Sequence, residues 1–216
     1  MRAHTAETQA TITPAKALEI LKEGNQRFVN NLKINRNLLE QVNETKDGQF
    51  PFAVVLSCID SRTSAELIFD QGLGDIFSIR IAGNIINEDI LGSMEFACKL
   101  AGSKLIVVLG HSKCGAIKGA CAGVQIGNLT GLLEKVKPAI DDVKNEMPDT
   151  NQMDPAFIDA VEKQNVICIM DMIIKQSPVL KELYESGEIG MIGSYYDVET
   201  GEVSFMKASI EERLAQ

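Results

Sequence analysis

Two stretches of this chain, Phe52-Ala-Val-Val-Leu56 and Leu105-Ile-Val-Val-Leu109, contain no polar side chain. A strand with one wet face alternates apolar and polar residues, whereas a run apolar throughout must be covered on both faces. Such runs predict strands inside a parallel sheet, with helices above and below. The strands are placed at 52–57 and 105–110, with another at 76–81, Ile-Phe-Ser-Ile-Arg-Ile. Residues 189–196 read as a fourth strand, and residues 203–206 pair back as an edge strand after the turn Glu199-Thr-Gly-Glu202. Helical patterns at about 63–70, 88–102, 115–122 and 155–176 alternate with the strands, as a parallel α/β sheet requires. Ahead of the sheet, Thr13-Pro14 marks a helix start. Ala17, Leu18, Leu21, Phe28 and Val29 then recur at helical spacing, so 14–30 reads as an amphipathic helix and the polar 30–48 as a connecting arm.

Two short motifs begin where strands end. Cys58-Ile-Asp60-Ser-Arg62 follows the first run, and His111-Ser-Lys-Cys114-Gly115 follows the 105–110 run. In an open parallel sheet, ligands bind beyond the carboxyl ends of the strands, where the strand order reverses. If these two strands are neighbours, Cys58, His111 and Cys114 meet there. Two thiolates and an imidazole suit Zn2+ rather than Mg2+ or Ca2+, which take oxygen. Three protein ligands leave a fourth position for water, the arrangement of catalytic zinc. The metal lowers the pKa of that water from about 15.7 to about 7. Asp60 can accept a hydrogen bond from the water, or bind the metal itself and block it. Arg62 can hold Asp60 in a two-point pair and keep it ionised.

Other classes fit poorly. Of the five cysteines, none forms a Cys-x-x-Cys pair, which argues against a thiol-redox protein. Cys98, Cys121 and Cys168 read as ordinary core thiols. A net charge of −9 repels a phosphate backbone, so no nucleic acid is expected. No apolar run reaches the ~18–20 residues a membrane span needs, and the first residues lack an apolar signal segment. A reducing, cytoplasmic setting follows. Gly115, Gly119 and Gly123 lack the Lys-Ser/Thr of a phosphate loop and read as close helix packing. His4 reads as a disordered terminal residue.

Together, and in this order, Cys58-x-Asp60-x-Arg62 and His111-x-x-Cys114-Gly115 resemble the two signatures of the β-class carbonic anhydrases. The resemblance runs from Thr13 to about Asp197 and includes the N-terminal segment Ala17-Leu-Glu-Ile-Leu-Lys-Glu-Gly-Asn-Gln-Arg-Phe28. It implies a zinc-dependent enzyme for the reversible hydration of carbon dioxide to bicarbonate and a proton. Cys58, His111 and Cys114 would hold the metal, and Asp60 and Arg62 would form the catalytic dyad. It implies a four-stranded parallel core with an added edge strand, flanking helices and an N-terminal helical arm, with residues 1–50 as the arm and 51–216 as the catalytic domain. It also implies a homodimer or tetramer in which the arms embrace the partner and the sites lie at the interface. Gln49, nine residues before Cys58, would donate to substrate in the other subunit's site. Phe77 and Gly83 would line the pocket, and the backbone at Gly115 would contact bicarbonate. Phe96 stands where plant-type members carry a tyrosine. The chain has no tryptophan, so the bicarbonate switch of some bacterial members is not expected in its usual form, and Asp60 is expected on Arg62. Two alternatives stay open: hydrolysis of carbonyl sulfide or carbon disulfide by the same site, and a non-catalytic zinc or bicarbonate-binding protein.

Overall fold

The structure, a computed structural model, describes residues 2–206, so the end of the expected 51–216 domain lies outside the described residues. Five strands form one sheet: β1 (Ala53–Ser57), β2 (Ile76–Arg80), β3 (Leu105–His111), β4 (Gly190–Tyr196) and β5 (Val203–Phe205), in the order β2-β1-β3-β4-β5. The first four are parallel and β5 is antiparallel to β4, the expected core and edge strand. The helices are α1 (Ala6–Ala10), α2 (Pro14–Val29), α3 (Leu38–Thr45), α4 (Ala65–Ile68), α5 (Glu88–Glu95), α6 (Gly115–Cys121), α7 (Gly127–Leu133), α8 (Lys137–Glu146), α9 (Pro155–Gln176) and α10 (Pro178–Glu185).

β1 and β3 are buried at every position, as their composition demands. Alternate residues divide between two cores. Val54, Leu56, Ile106 and Val108 pack with α5, α6, α8, α9 and α10 on one face. Ala53, Val55, Leu105, Val107 and Leu109 pack with Ala17 and Leu21 of α2 and Ala65 and Ile68 of α4 on the other. β2 differs from the expectation of a fully covered strand. It lies at the sheet edge, and Ser78 and Arg80 are exposed, as the polar residues in its run already signalled.

Local chemistry sets the helix ends. Thr13 caps α2 by accepting from the Lys16 N–H, with Pro14 in the first turn, and Asp154 and Pro155 do the same for α9. The expected 88–102 helix runs as α5 and then widens into a π turn at Phe96–Leu100. α9 approaches β3 and β4 closely because Gly110 and Gly193 face it. A Cβ at Gly110 would lie 2.6 Å from Val166, and one at Gly193 would lie 2.9 Å from Met170 and Val166.

Three sequence expectations need correction. The segment read as a connecting arm contains α3, whose buried residue is Gln41 while Leu38, Leu39 and Val42 face outward, so no inward apolar stripe marks it. Only at Gly119 of the 115/119/123 series would an added Cβ meet a neighbouring helix residue, Leu133, at 3.5 Å. A Cβ at Gly115 or Gly123 meets nothing within 4 Å, and Gly123 instead supplies the left-handed turn, φ 66°, after α6. His4 packs against the domain, its Nδ1 3.3 Å from Thr8 Oγ1 and its ring against Phe52.

The N-terminal segments are tied to the turn after α4 through Asp70, which is nearly fully buried. Its carboxylate accepts from Arg27 Nε of α2 at 2.6 Å, from Arg36 Nη1 at 2.5 Å and from the Ile34 N–H at 3.2 Å. Burial alone would raise its pKa, but the two guanidiniums and the amide outweigh that and hold it below the ordinary carboxylate value. Asp70→Asn removes the carboxylate that the nearly buried Arg36 and the partly exposed Arg27 share, and is expected to cost about 3 kcal/mol in denaturant unfolding. Because the folded-state pKa is depressed, this contribution is present above the unfolded carboxylate pKa and is lost as pH falls through the folded value. The gap between wild type and variant should therefore be full at pH 7 and shrink below about pH 4. A gap unchanged down to pH 2 would contradict the ion-pair account.

Candidate metal centre

The β1–β3 pairing sets Ser57, the last residue of β1, beside Leu109, and β3 runs two residues further to His111. β1 leads to β2 on one side and β3 to β4 on the other, so the strand order reverses between them. Cys58, His111 and Cys114 converge there, all buried, with one ligand atom of each within 4.8 Å of the others. Among the described residues this is the group of three or more such side chains able to hold a metal.

The geometry suits an ion. The two Sγ atoms are 4.0 Å apart, close to the roughly 3.8 Å that two ~2.3 Å metal–sulfur bonds at a tetrahedral angle require. His111 Nδ1 lies 2.9 Å from the Ser112 carbonyl, which can only accept, so Nδ1 carries the proton. Nε2 is then a bare lone pair, buried and without a partner among the described residues. A buried nitrogen of that kind costs free energy unless something binds it. Sequence supplies the turn that makes this possible: Lys113 adopts φ 57°, so the chain folds back and Cys114 joins His111. The Cys114 thiol is the main group that holds Cys58 down to about 4, against burial, and the Gly83 N–H adds to it. The same contact, with burial, pushes Cys114 up.

Asp60 and Arg62 form the expected two-point pair, Nε to Oδ1 at 2.9 Å and Nη2 to Oδ2 at 2.8 Å, and the Arg62 N–H adds a third bond to Oδ1 at 2.9 Å. Arg62 is the main reason that the Asp60 carboxyl is held down to about 2. Gly83 also belongs here: its N–H donates to Cys58 Sγ at 3.3 Å. Gly115 opens α6 directly after Cys114.

Gln49 and Phe77 are placed elsewhere. Gln49 is exposed and precedes β1, so the five residues of β1, about 16 Å of strand, separate it from Cys58. Phe77 pairs in register with Val54, four residues or about 13 Å short of Cys58. Phe77 stacks edge-on with Phe96, which is 51% exposed, their centroids 6.2 Å apart. The two line a surface cavity of about 650 Å³ with Glu88 and Asp89. Cys98 and Cys121 are buried as expected, but Cys168 is only half-buried, with its Sγ 3.4 Å from Asp142 Oδ2.

Four supporting residues escaped the sequence reading. Arg80 donates to the carbonyls of Cys58 at 3.1 Å and Asp60 at 2.6 Å, and Thr63 Oγ1 donates to the same two carbonyls. Glu162 accepts from the Cys114 N–H at 2.7 Å and from Tyr195. Asn165 donates to the Gly83 carbonyl at 2.9 Å. The signal for the last two was present: polar residues three apart on the apolar face of α9.

Residues 53–203 match the family model described as carbonic anhydrase. Carbonic anhydrase 2 of Mycobacterium tuberculosis is 34% identical over 194 residues, covering 87% of this chain and 90% of the relative. The solved β-carbonic anhydrase CcaA superposes with a TM-score of 0.70 at 27% identity, over 87% of this chain and 94% of that one. A structure from a study of two tetrameric β-carbonic anhydrases of Sordaria macrospora matches with a TM-score of 0.70 at 23% identity, over 77% and 85%, a likeness of fold.

Cobalt(II) added to the metal-free protein should give a thiolate-to-metal charge-transfer band in the near ultraviolet at one ion per chain. His111→Ala should weaken binding, and Cys58→Ser should remove most of the band. Undiminished cobalt binding in both variants would place the metal elsewhere.

Proposed function

The chain belongs to the β-carbonic anhydrase family, and from that premise we propose that it is a zinc enzyme that reversibly converts carbon dioxide and water to bicarbonate and a proton. One arrangement carries this reading: two thiols and the bare Nε2 of His111 meet beside a carboxylate already engaged by Arg62. Cys58, His111 and Cys114 hold the metal, and two sulfurs with one imidazole select zinc over the oxygen-seeking ions. Zinc in this cradle supplies a Lewis acid that makes water acidic enough to act as a nucleophile near neutral pH.

The protein's own groups do the rest. Asp60, ionised under Arg62, accepts a hydrogen bond from the attacking water and directs its lone pair at the carbon of the substrate. Arg62 would also keep Asp60 off the metal. The wall at Gly83 holds the apolar substrate, and the backbone at Gly115 receives the bicarbonate oxygens. The proton leaves to buffer.

Gln49 and Phe77 complete the site from a second copy of the chain. Gln49 precedes β1 and Phe77 lies near the start of β2, each most of a strand's length from its own Cys58 and too distant to serve the centre in its own subunit. Apolar side chains support the assembly: Leu32, Leu38, Leu39 and Val42 near α3, and Phe96 and Leu100 in the π turn, are all more than half exposed in the single chain. The reading is a homodimer embraced by residues 1–50, which can pair further into a tetramer. Among the described residues no helix is long and apolar enough to cross a membrane, and the five free cysteines fit a reducing cytoplasm.

Stopped-flow carbon dioxide hydration, with zinc measured per chain, tests the activity. Asp60→Asn should keep its zinc while kcat/KM falls about 10–100-fold or more. Full activity in that variant would remove the directing role. Faster turnover of carbonyl sulfide than of carbon dioxide would reassign the substrate. The shared site is tested by mixing two defective proteins, Cys58→Ser and Gln49→Ala. Hybrid dimers contain one site with its own Cys58 and the partner's Gln49, so activity should recover on mixing. No recovery would mean that Gln49 acts within its own subunit or not at all.

A further inference from the structure

α9 presents two polar side chains on its buried face, Glu162 and Asn165. Glu162 meets the Cys114 N–H. Asn165 meets the other cysteine indirectly. It is 1% exposed, and its Nδ2 donates to the Gly83 carbonyl at 2.9 Å. Its Oδ1 has no partner among the described residues. A half-satisfied carboxamide in an apolar stripe is unfavourable by itself, and its neighbours Val161, Val166 and Ile169 show what would otherwise fit there.

What Asn165 holds is an unusual turn. Gly83 and Asn84 both take left-handed backbone conformations, φ 69° and 42°. Such a pair persists only where its surroundings over-determine it. In this conformation the Gly83 carbonyl points at α9 while its N–H donates to Cys58 Sγ at 3.3 Å. The two hydrogen bonds therefore use the two ends of one residue: Asn165 grips the carbonyl, and the amide grips the sulfur. The helix itself is seated firmly, because Gly110 and Gly193 let Val166, the next residue, sit against the sheet.

We propose that Asn165 is a positioning residue for the Cys58 thiolate: it locks the Ala82–Asn84 turn so that the Gly83 N–H stays aimed at Cys58 Sγ. An N–H donated to a thiolate draws charge from the sulfur and leaves less to pass to a bound metal, which keeps the metal a stronger Lewis acid. The inference rests on the reading of Cys58 as a metal ligand. Asn165 touches none of the metal ligands and reaches the pocket wall only through the Gly83 carbonyl, so its loss should act chiefly on kcat.

Two variants remove the donor with little change in the size of the side chain, Asn165→Leu and Asn165→Val. In the zinc-loaded protein each should lose about 10–100-fold in kcat or in zinc affinity. In the cobalt-loaded protein the thiolate charge-transfer band should move to lower energy, because the sulfur becomes more electron-rich. A merely structural role would not move that band. A band and kcat equal to wild type in a folded variant would overturn the proposal. Should neither variant fold, the wild-type protein loaded with cadmium-113 decides the matter. Scalar coupling between the metal and the Gly83 amide proton is expected, and its absence would overturn the proposal. Wild type that shows no thiolate band at all would instead bring down the metal reading, and this inference with it.

Discussion

The parallel pairing of β1 with β3 is the constraint on which the rest of the structure depends. Their register places Ser57 beside Leu109, so the loops that follow leave the sheet at neighbouring points. Both strands are buried on both faces, and a slip by one residue would exchange the side chains of the two cores. The register is therefore fixed by apolar packing well away from the site. Cys58 inherits its orientation from the alternation that points Val54 and Leu56 into the same core. The reversal of strand order at this pair leaves a crevice with a helix, α6, starting at its edge.

Around that crevice the polar groups form a tight set of mutual restraints. Arg62 holds Asp60, Arg80 and Thr63 hold the backbone of the Cys58–Asp60 turn, and Glu162 and Asn165 reach the two cysteine loops from α9. His111 is fixed through Nδ1, which leaves Nε2 buried and without a partner among the described residues. A site so braced presents its donors in place before an ion arrives, which reduces the reorganisation that binding requires.

Much of this was legible in the sequence because the signals were of the right kind. The runs at 52–57 and 105–110 announced covered strands, and their ends marked the two motifs. Thr13-Pro14 and the apolar spacing after it placed α2 to within a residue of Val29. What escaped was decided by tertiary contact. α3 turns apolar residues outward and buries Gln41, so its pattern runs opposite to that of an ordinary surface helix. α8 did carry a readable stripe, Ala139, Ile140 and Val143, among charged residues. Glu162 and Asn165 were visible as polar residues on an apolar face, but nothing local says that they face Cys114 and Gly83 across more than 40 residues of sequence. The motifs identify the donors; only the fold identifies what holds them.

The central claim is that this crevice holds a zinc ion on three side chains with one position left for water. A crystal structure with anomalous data on both sides of the zinc absorption edge tests it most directly. The account predicts one zinc peak per chain, about 2.3 Å from each of Cys58 Sγ and Cys114 Sγ and about 2.0 Å from His111 Nε2. Asp60 should remain on Arg62, with a water in the fourth position. A peak at other residues, no peak in active protein, or Asp60 bound to the metal in active protein would contradict it.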